Sequence, residues 1–185
     1  MLLERRSLLS LLAAGPTLTM LLPARQGIAA EQAEGLGKLS RTEPRALPDF
    51  VFTDAGGAEK RVADFAGRPL LINLWATWCA PCVAEMPALD RAQQALAGEG
   101  WAVLALSSDR GGAPVVQGFY GRTGVGTLDV WLDPRGAAGR ALGARGLPTS
   151  IVVNRKGQEV ARLEGAAAWD HPDWLKALRE LAGPA

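Results

Sequence analysis

The sequence predicts an α/β sandwich built around a mixed β-sheet. Two apolar runs, Leu70–Ala76 and Trp101–Leu106, have the composition of buried strands, and each is followed by a helical segment. Such alternation places successive strands side by side and parallel. The pattern then changes to a hairpin over 149–163 and a final amphipathic helix over 172–181, which adds antiparallel strands. A chain of 185 residues, 48% of them hydrophobic, suits one domain with a sizeable core after a short leader.

The first thirty residues have the order of a secretory leader. Arg5 and Arg6 precede an apolar stretch over 8–22, and small residues follow at 27–30. We interpret 1–30 as a signal peptide or, alternatively, as an uncleaved anchor, because the apolar stretch is shorter than the roughly 20 residues that span a bilayer. The paired arginines fit a twin-arginine signal and equally an ordinary basic start. Either route predicts a domain outside the cytoplasm, where disulfides persist.

The segment before the domain carries little periodic signal. Residues 31–46 mix charges, glycine and proline, which predicts a flexible linker to a domain at 47–183. A short strand is predicted at Phe50–Thr53, closed by the turn residues at 54–57. A helical turn is predicted at Val62–Ala66.

The centre of the sheet is predicted at Leu70–Ala76, since a nearly continuous apolar run is typical of a strand buried on both faces. A helix is expected from about Cys79 to Leu96, with Pro87 inside it. The remaining predicted elements are, in chain order, a strand at Trp101–Leu106, a helix at Pro114–Tyr120, a strand at Leu128–Leu132, a short helix at Ala137–Leu142, hairpin strands at Thr149–Val153 and Glu159–Leu163, and a helix at Pro172–Leu181.

The only two cysteines, Cys79 and Cys82, lie where the central strand passes into a helix. Unpaired N–H groups and the peptide dipoles at a helix N-terminus stabilise a thiolate and lower its pKa from about 8.5. We therefore expect Cys79, at the tip, to be the attacking sulfur and Cys82 to be the resolving sulfur. Pro81 stiffens this turn and lacks a donor that the first helical turn leaves unpaired. The pattern predicts thiol–disulfide exchange chemistry.

Other uses of the two cysteines fit the sequence less well. A structural zinc site needs four ligands, and His171 is the only histidine. A purely structural disulfide across so short a loop adds only about 2 kcal/mol. A Cu(I)-binding module stays open, because two thiolates suit Cu(I), although no Met-rich tract completes a site. We expect neither a cofactor nor a metal, and the net charge of +1 without a basic stripe argues against nucleic acid as a partner.

Two motifs resemble the TlpA/ResA group of thioredoxin-fold proteins. The stretch LWATWCAPC at 74–82 is similar to the active-site stretch of that group, and GLPT at 146–149 resembles its second signature. The segments at 107–112 and 169–172 are most similar to the TlpA branch. The resemblance covers roughly 47–181. It implies a thioredoxin-like three-layer α/β/α sandwich with a mixed central sheet, an N-terminal strand extension and a central insertion.

The resemblance also implies a substrate-binding surface. The Leu147–Pro148 peptide bond is expected to be cis and to face the disulfide, leaving the backbone of Leu147 open to an extended substrate strand. Trp78 and Pro81 are expected to contact the substrate as well. Trp75, by contrast, is expected to belong to the core.

Glu85 is the third expected catalytic residue. It lies three positions after Cys82 and therefore near the same helix face. By resemblance, a glutamate here lies close to the cysteine pair, where it could tune thiol pKa values or relay a proton. Asn73 stands where cytoplasmic thioredoxin carries a buried acid. Because an amide is no base, a proton relay must use Glu85 or water.

The resemblance implies a periplasmic thiol–disulfide oxidoreductase that acts as a reductant, either soluble after signal cleavage or tethered to the inner membrane by its N-terminus. Expected partners are exported proteins with cysteine pairs, such as apocytochrome c or copper-site proteins of cytochrome oxidase, and a membrane electron carrier of the DsbD/CcdA type. The chain is expected to be monomeric. A disulfide-forming oxidant stays an alternative, because the motif fits both directions. A peroxiredoxin is disfavoured, since Cys79 lacks a preceding Pro-x-x-x-Thr pattern.

Overall fold

The computed structural model describes residues 35–184, and the predicted leader at 1–30 lies outside them. The strands are, in chain order, β1 (Ser40–Ala46), β2 (Phe52–Asp54), β3 (Glu59–Lys60), β4 (Leu70–Trp75), β5 (Ala102–Ser107), β6 (Trp131–Leu132), β7 (Thr149–Val153) and β8 (Gln158–Glu164). The helices are α1 (Ala80–Leu96), α2 (Gly112–Thr123), α3 (Ala137–Ala141) and α4 (Pro172–Ala182), with short 3-10 helices at Val62–Phe65 and Ala97–Glu99.

The described strands form one mixed sheet in the order β1-β8-β7-β4-β5-β6-β2-β3. β4 pairs in parallel with β5, and β5 in parallel with β6. β7 runs antiparallel to both β4 and β8. The predicted α/β sandwich with a mixed central sheet is therefore confirmed, and β4 lies inside the sheet as its apolar composition indicates. The central insertion stays a prediction.

Alternating side chains of β4 belong to two cores, one on each face of the sheet. Leu71 and Trp75 pack with buried residues of α1, α2 and α4. Leu70, Ile72 and Leu74 pack with α3 and with the aromatic residues of the N-terminal strands. Because side chains alternate along a strand, Asn73 shares the face of Leu71 and Trp75. The single polar residue of β4 is thereby turned toward α1.

β1 differs from the predicted flexible linker. Ser40–Ala46 pairs antiparallel with β8, with an irregular register between Arg41 and Arg45. This strand is exposed along nearly its whole length, so it has no apolar alternation from which it could be predicted. Pro44 is tolerated within β1 because β1 is an edge strand and because Pro44 lies in the stretch with the irregular register. The division of the rest of the N-terminus stays a prediction.

Two further elements differ in length from their predictions. β6 keeps only two of the five expected residues. Just before it, Asp90 accepts the backbone N–H groups of Thr127 and Leu128. α2 begins before Pro114, which the first helical turn tolerates, and ends at Gly124 with a left-handed φ of 71°. None of the helices within 35–184 combines the length and apolar character that a bilayer span needs.

The β1–β8 edge is held by a buried carboxylate. Glu159 of β8 is 2% exposed and accepts paired hydrogen bonds from Arg45 and Arg162 at 2.9–3.2 Å. Burial alone would raise the pKa of Glu159, but the hydrogen bonds from Arg162 and Arg45 outweigh it and hold the pKa below its ordinary value. Glu164 on the same strand makes a similar pair with Arg145, but there the glutamate is 40% and the arginine 82% exposed.

The two glutamates give a matched test of this edge. We expect Glu159→Gln to lower the free energy of unfolding by about 1–3 kcal/mol, because it leaves two arginines short of a buried charge partner. Glu164→Gln should cost less than about 1 kcal/mol, since water screens an exposed pair. Urea unfolding at neutral pH measures both. Equal losses would show that Glu159 acts as an ordinary surface charge.

Candidate active site

The cysteine pair lies at the start of α1 and is closed as a disulfide. Cys79 is the N-cap residue and Cys82 belongs to the first turn, with their Cα atoms 5.3 Å apart. Pro81 lies between them within the first two helical positions, as expected from its missing N–H. Cys79 is 8% exposed whereas Cys82 is fully buried. Cys79 is thus the less buried of the two residues, and the roles of attacking and resolving sulfur stay predictions.

A buried carboxylate fixes the loop that leads to the disulfide. Asp109, at the end of β5, accepts the backbone N–H of Thr77 at 2.9 Å and its hydroxyl at 2.7 Å. It also accepts the hydroxyl of Ser107 at 2.7 Å. These bonds tie the turn between β4 and α1 to the neighbouring strand, so the position of Cys79 depends on two strands. In the sequence, this segment stands out only by its resemblance to the TlpA branch.

Glu85 is buried on α1, one turn after Cys82, and is 3% exposed. Its Oε1 accepts the side-chain amide of Asn73 at 2.8 Å, and its Oε2 accepts the N–H of Ala167 and the indole N–H of Trp169, both at 2.9 Å. Burial raises the pKa of Glu85 from 4.5 to about 7, although all three hydrogen bonds lower it. The carboxyl group can therefore exchange a proton near neutral pH.

Asn73 reaches Glu85 because of its place in the sheet. It lies on the α1 face of β4 and is the cross-strand neighbour of Ser150 on β7. Its Nδ2 donates to Glu85 Oε1 and also to Ser150 Oγ at 2.9 Å. The sequence indicated only that an acid was missing here. The alternation of β4 together with the helical position of Glu85 was the signal that could have predicted the contact.

Trp78 and Leu147 line an open groove beside the cysteine turn, whereas Pro148 is buried. Trp78 is 70% exposed, while Trp75 is fully buried against Tyr120, as expected for a core residue. The Leu147–Pro148 peptide bond is cis, as the resemblance implied. A groove of about 290 Å³ lies beside Trp78 and Leu147. Its other lining residues are Leu74, Ser108, Gly139, Ala144, Arg145 and Gly146.

The backbone of Leu147 makes no hydrogen bond to any residue between 35 and 184. The carbonyl of the next residue, Pro148, accepts from Gly165 at 2.9 Å, so pairing with the rest of the sheet begins only after Leu147. The N–H and the carbonyl of Leu147 are therefore unpaired within the described part of the chain.

His171 does not belong to this site. It is the N-cap of α4, and its Nδ1 accepts the backbone N–H of Asp173 at 3.3 Å, which confirms the expected helix-start role. Over the described range, no group of three or more His, Cys, Asp and Glu side chains is placed to hold a metal ion. The structure brings Cys79, Cys82 and Glu85 together through the first two turns of α1.

Comparison with known proteins agrees with this geometry. A family model described as Redoxin matches residues 43–178. The thiol-disulfide oxidoreductase ResA of Geobacillus thermodenitrificans is 33% identical over 113 residues, which span 60% of this chain and 63% of that protein. ResA of Bacillus subtilis is 29% identical over 70% of this chain and 71% of that protein. The alignment with the Geobacillus relative thus leaves more than a third of that protein unmatched.

Comparison with a solved structure supports the thioredoxin-like fold. A thiol:disulfide interchange protein DsbE from Chlorobium tepidum superposes with a TM-score of 0.63 at 26% identity, over 77% of this chain and 96% of that one. The resemblance to the TlpA/ResA group and the thioredoxin-like fold are confirmed. The narrower similarity to the TlpA branch stays a prediction.

The buried Glu85 predicts a pH-dependent stability. A folded-state pKa of about 7 against 4.5 in the unfolded chain means that the folded state keeps a proton that the unfolded state has lost. The contribution of Glu85 is therefore fully present below about pH 4.5 and declines as the pH rises through 7. We expect the oxidised protein to lose on the order of 3 kcal/mol across this window relative to Glu85→Gln.

Urea unfolding of both oxidised proteins at several pH values measures this difference. Glu85→Gln keeps the size of the side chain and cannot titrate, so it serves as the reference. Parallel stability curves for the two proteins would show that Glu85 ionises in the folded state as it does in water.

Proposed function

The chain belongs to the Redoxin family, and on this basis we propose that it is a thiol–disulfide oxidoreductase that works outside the cytoplasm. The observation that carries the proposal is the Cys79–Cys82 disulfide at the start of α1, with a buried carboxyl one turn further along. Relatives named thiol-disulfide oxidoreductase ResA support the same chemistry. The predicted leader supports the location.

The reaction is a two-electron exchange of disulfides. In the reduced protein, the Cys79 thiolate attacks one sulfur of a substrate disulfide, a bond to Cys79 Sγ forms, and the other substrate sulfur leaves as a thiolate. The Cys82 thiolate then attacks Cys79 Sγ and releases the second substrate thiolate. The substrate is reduced and the pair is oxidised to the disulfide seen here. Cys79 is the attacking group because it lies at the helix tip and is partly accessible.

Glu85 is placed to handle the proton of the resolving thiol. Cys82 is fully buried, so its thiol has no direct exchange with water, while the Glu85 carboxyl lies one helical turn away. A group with a pKa of about 7 takes up a proton from a thiol more readily than an exposed glutamate does. We assign Glu85 as the acceptor of the Cys82 proton when Cys82 attacks the mixed disulfide.

The accessible surface suits an extended substrate segment. The free N–H and carbonyl of Leu147 can pair with a substrate strand, which places a substrate cysteine next to Cys79. The exposed Trp78 offers an apolar contact beside it, and the groove next to Leu147 can take a substrate side chain. We assign Trp78, Pro81, Leu147 and Pro148 to substrate binding.

The substrates we propose are exported proteins with cysteine pairs. Apocytochrome c and the copper-site proteins of cytochrome oxidase have such pairs, which must be reduced before haem or copper binds. A reductant needs its own electron source, and a membrane carrier of the DsbD/CcdA type would supply it in the periplasm. The chain acts as a monomer in this scheme.

Trapping separates the roles of the two cysteines. We expect Cys82→Ser, once reduced, to accumulate a mixed disulfide with a peptide that carries an intramolecular Cys-x-x-Cys disulfide, because attack proceeds and resolution does not. Cys79→Ser should form no adduct and show no turnover. Non-reducing electrophoresis and intact mass measure the adduct. Trapping by Cys79→Ser alone would reverse the two roles, and failure of both variants would refute the proposed function.

The reduction potential decides the direction. We expect the Cys79–Cys82 couple to lie toward the thioredoxin end of the range, about −270 mV, because the protein is proposed to donate electrons. Equilibration with glutathione or dithiothreitol buffers, followed by thiol counting, measures it. A value near −120 mV, the strongly oxidising end, would make the protein a disulfide-forming oxidant.

A further inference from the structure

Asn73 carries an unusual imbalance of hydrogen bonds. Its side chain is fully buried, and its Nδ2 donates both to Glu85 Oε1 at 2.8 Å and to Ser150 Oγ at 2.9 Å. Its Oδ1 is buried as well and has no partner within the part of the chain described. Buried polar atoms are nearly always paired, so an orphaned carbonyl next to a titratable group calls for a physical reason.

The surroundings of Glu85 restrict where its proton can go. Oε2 accepts two N–H groups, from Ala167 and from the Trp169 indole, neither of which can accept a hydrogen bond in return. A proton on Oε2 would face two donors. Oε1 faces only the Asn73 amide, so the proton of the neutral carboxyl belongs on Oε1.

We propose that Asn73 is a positioning residue that serves both protonation states of Glu85 by reversal of its side-chain amide. With Glu85 ionised, Nδ2 donates to Oε1 and to Ser150 Oγ, as in the structure. With the proton on Oε1, a half-turn of the amide brings Oδ1 to the same place. There it accepts from the carboxyl O–H and from the Ser150 hydroxyl, which can donate as well as accept.

The Asn73 amide has the same number of protons and of hydrogen bonds before and after the reversal. Asn73 neither gains nor loses a proton, and the amide makes two hydrogen bonds, to Glu85 and to Ser150, in each state. One end of the amide is unpaired in both: Oδ1 when Glu85 is charged and Nδ2 when it is neutral. The orphaned Oδ1 therefore marks the state in which Glu85 is a carboxylate.

Within residues 35–184, no charged side chain hydrogen-bonds to Glu85. Its partners are Asn73 from β4 and the Ala167 and Trp169 donors from the segment before α4, and Cys82 lies one turn earlier on its own helix. β7 contributes Ser150, through Asn73. Burial raises the pKa of Glu85 and outweighs three hydrogen bonds that lower it, and cysteines joined as a disulfide do not titrate. The amide is the one partner that can invert its polarity.

Nuclear magnetic resonance of the unmodified oxidised protein tests the contact. We expect the side-chain NH₂ signals of Asn73 to shift with pH and to show the same midpoint as the carboxyl carbon of Glu85, because the amide changes partners as the proton arrives. Signals of Asn73 that do not change through the midpoint of Glu85 would overturn the proposal. This measurement needs no variant, so it stands even if a substitution prevents folding.

Variants measure the size of the effect. Asn73→Leu keeps the volume and removes the donor to the carboxylate, so the midpoint of Glu85 should rise by about one pH unit. Ser150→Ala keeps the contact between Asn73 and Glu85 and removes one hydrogen bond of the amide in each state, so the midpoint of Glu85 should shift less than in Asn73→Leu. Thr149→Val is the matched control, since the Thr149 hydroxyl donates to Gly146 and points to the other face of the sheet. An unchanged midpoint in Asn73→Leu, or an equal shift in the control, would refute the assignment.

A role of the Asn73 amide in proton transfer rests on the proposed thiol–disulfide exchange. The titrations that test the reversal of the amide do not depend on that exchange. All of these titrations are made on the oxidised protein, where no exchange takes place. A protein that shows the coupled titration but traps no substrate would retain the positioning role of Asn73 and lose the proposed function. A protein that traps substrate but shows no coupled titration would retain the proposed function and lose the positioning role of Asn73.

Discussion

The burial of one carboxyl group, that of Glu85, is the constraint around which the site is arranged. Removing a carboxylate from water is costly, so the fold has to provide donors for it. These come from separate parts of the chain: the Asn73 amide from the central strand, and a backbone N–H and an indole N–H from the segment before α4. The Glu85 side chain thereby connects α1 to the central strand and to the segment before α4, one turn away from the cysteine pair.

A second carboxyl group, Asp109, has a different task at the same end of the sheet. Three donors from Thr77 and Ser107 surround it, and the bonds hold the turn that carries Cys79 against β5. Asp109 holds the turn that carries Cys79, whereas Glu85 lies one helical turn after Cys82. Both groups thus connect the cysteine turn and the first turns of α1 to the central strands of the sheet.

The sequence predicted those parts of the protein whose signals are local. The apolar run of β4, the cysteine spacing at the start of α1 and Pro172 at the start of α4 each specify their element within a few residues. The exposed β1 was missed because an edge strand with polar side chains lacks a periodic pattern. The cis bond before Pro148 followed only from family resemblance. The contact of Asn73 with Ser150 and those of Asp109 with Thr77 depend on how strands pair, which is a tertiary property that no short segment encodes.

The balance of charge around the cysteines bears on the direction of the reaction. A strongly oxidising pair is one whose reduced thiolate form is stabilised. Here the helix N-terminus favours a thiolate, but residues 80–83 of the first turn of α1 are uncharged. The nearest ionisable group in the sequence of α1 is Glu85, which when ionised repels a second negative charge on Cys82. Such an arrangement destabilises the reduced dithiolate relative to the disulfide and lowers the potential. This repulsion supports the proposed electron-donating direction, and it comes from the carboxyl that we propose as the acceptor of the Cys82 proton.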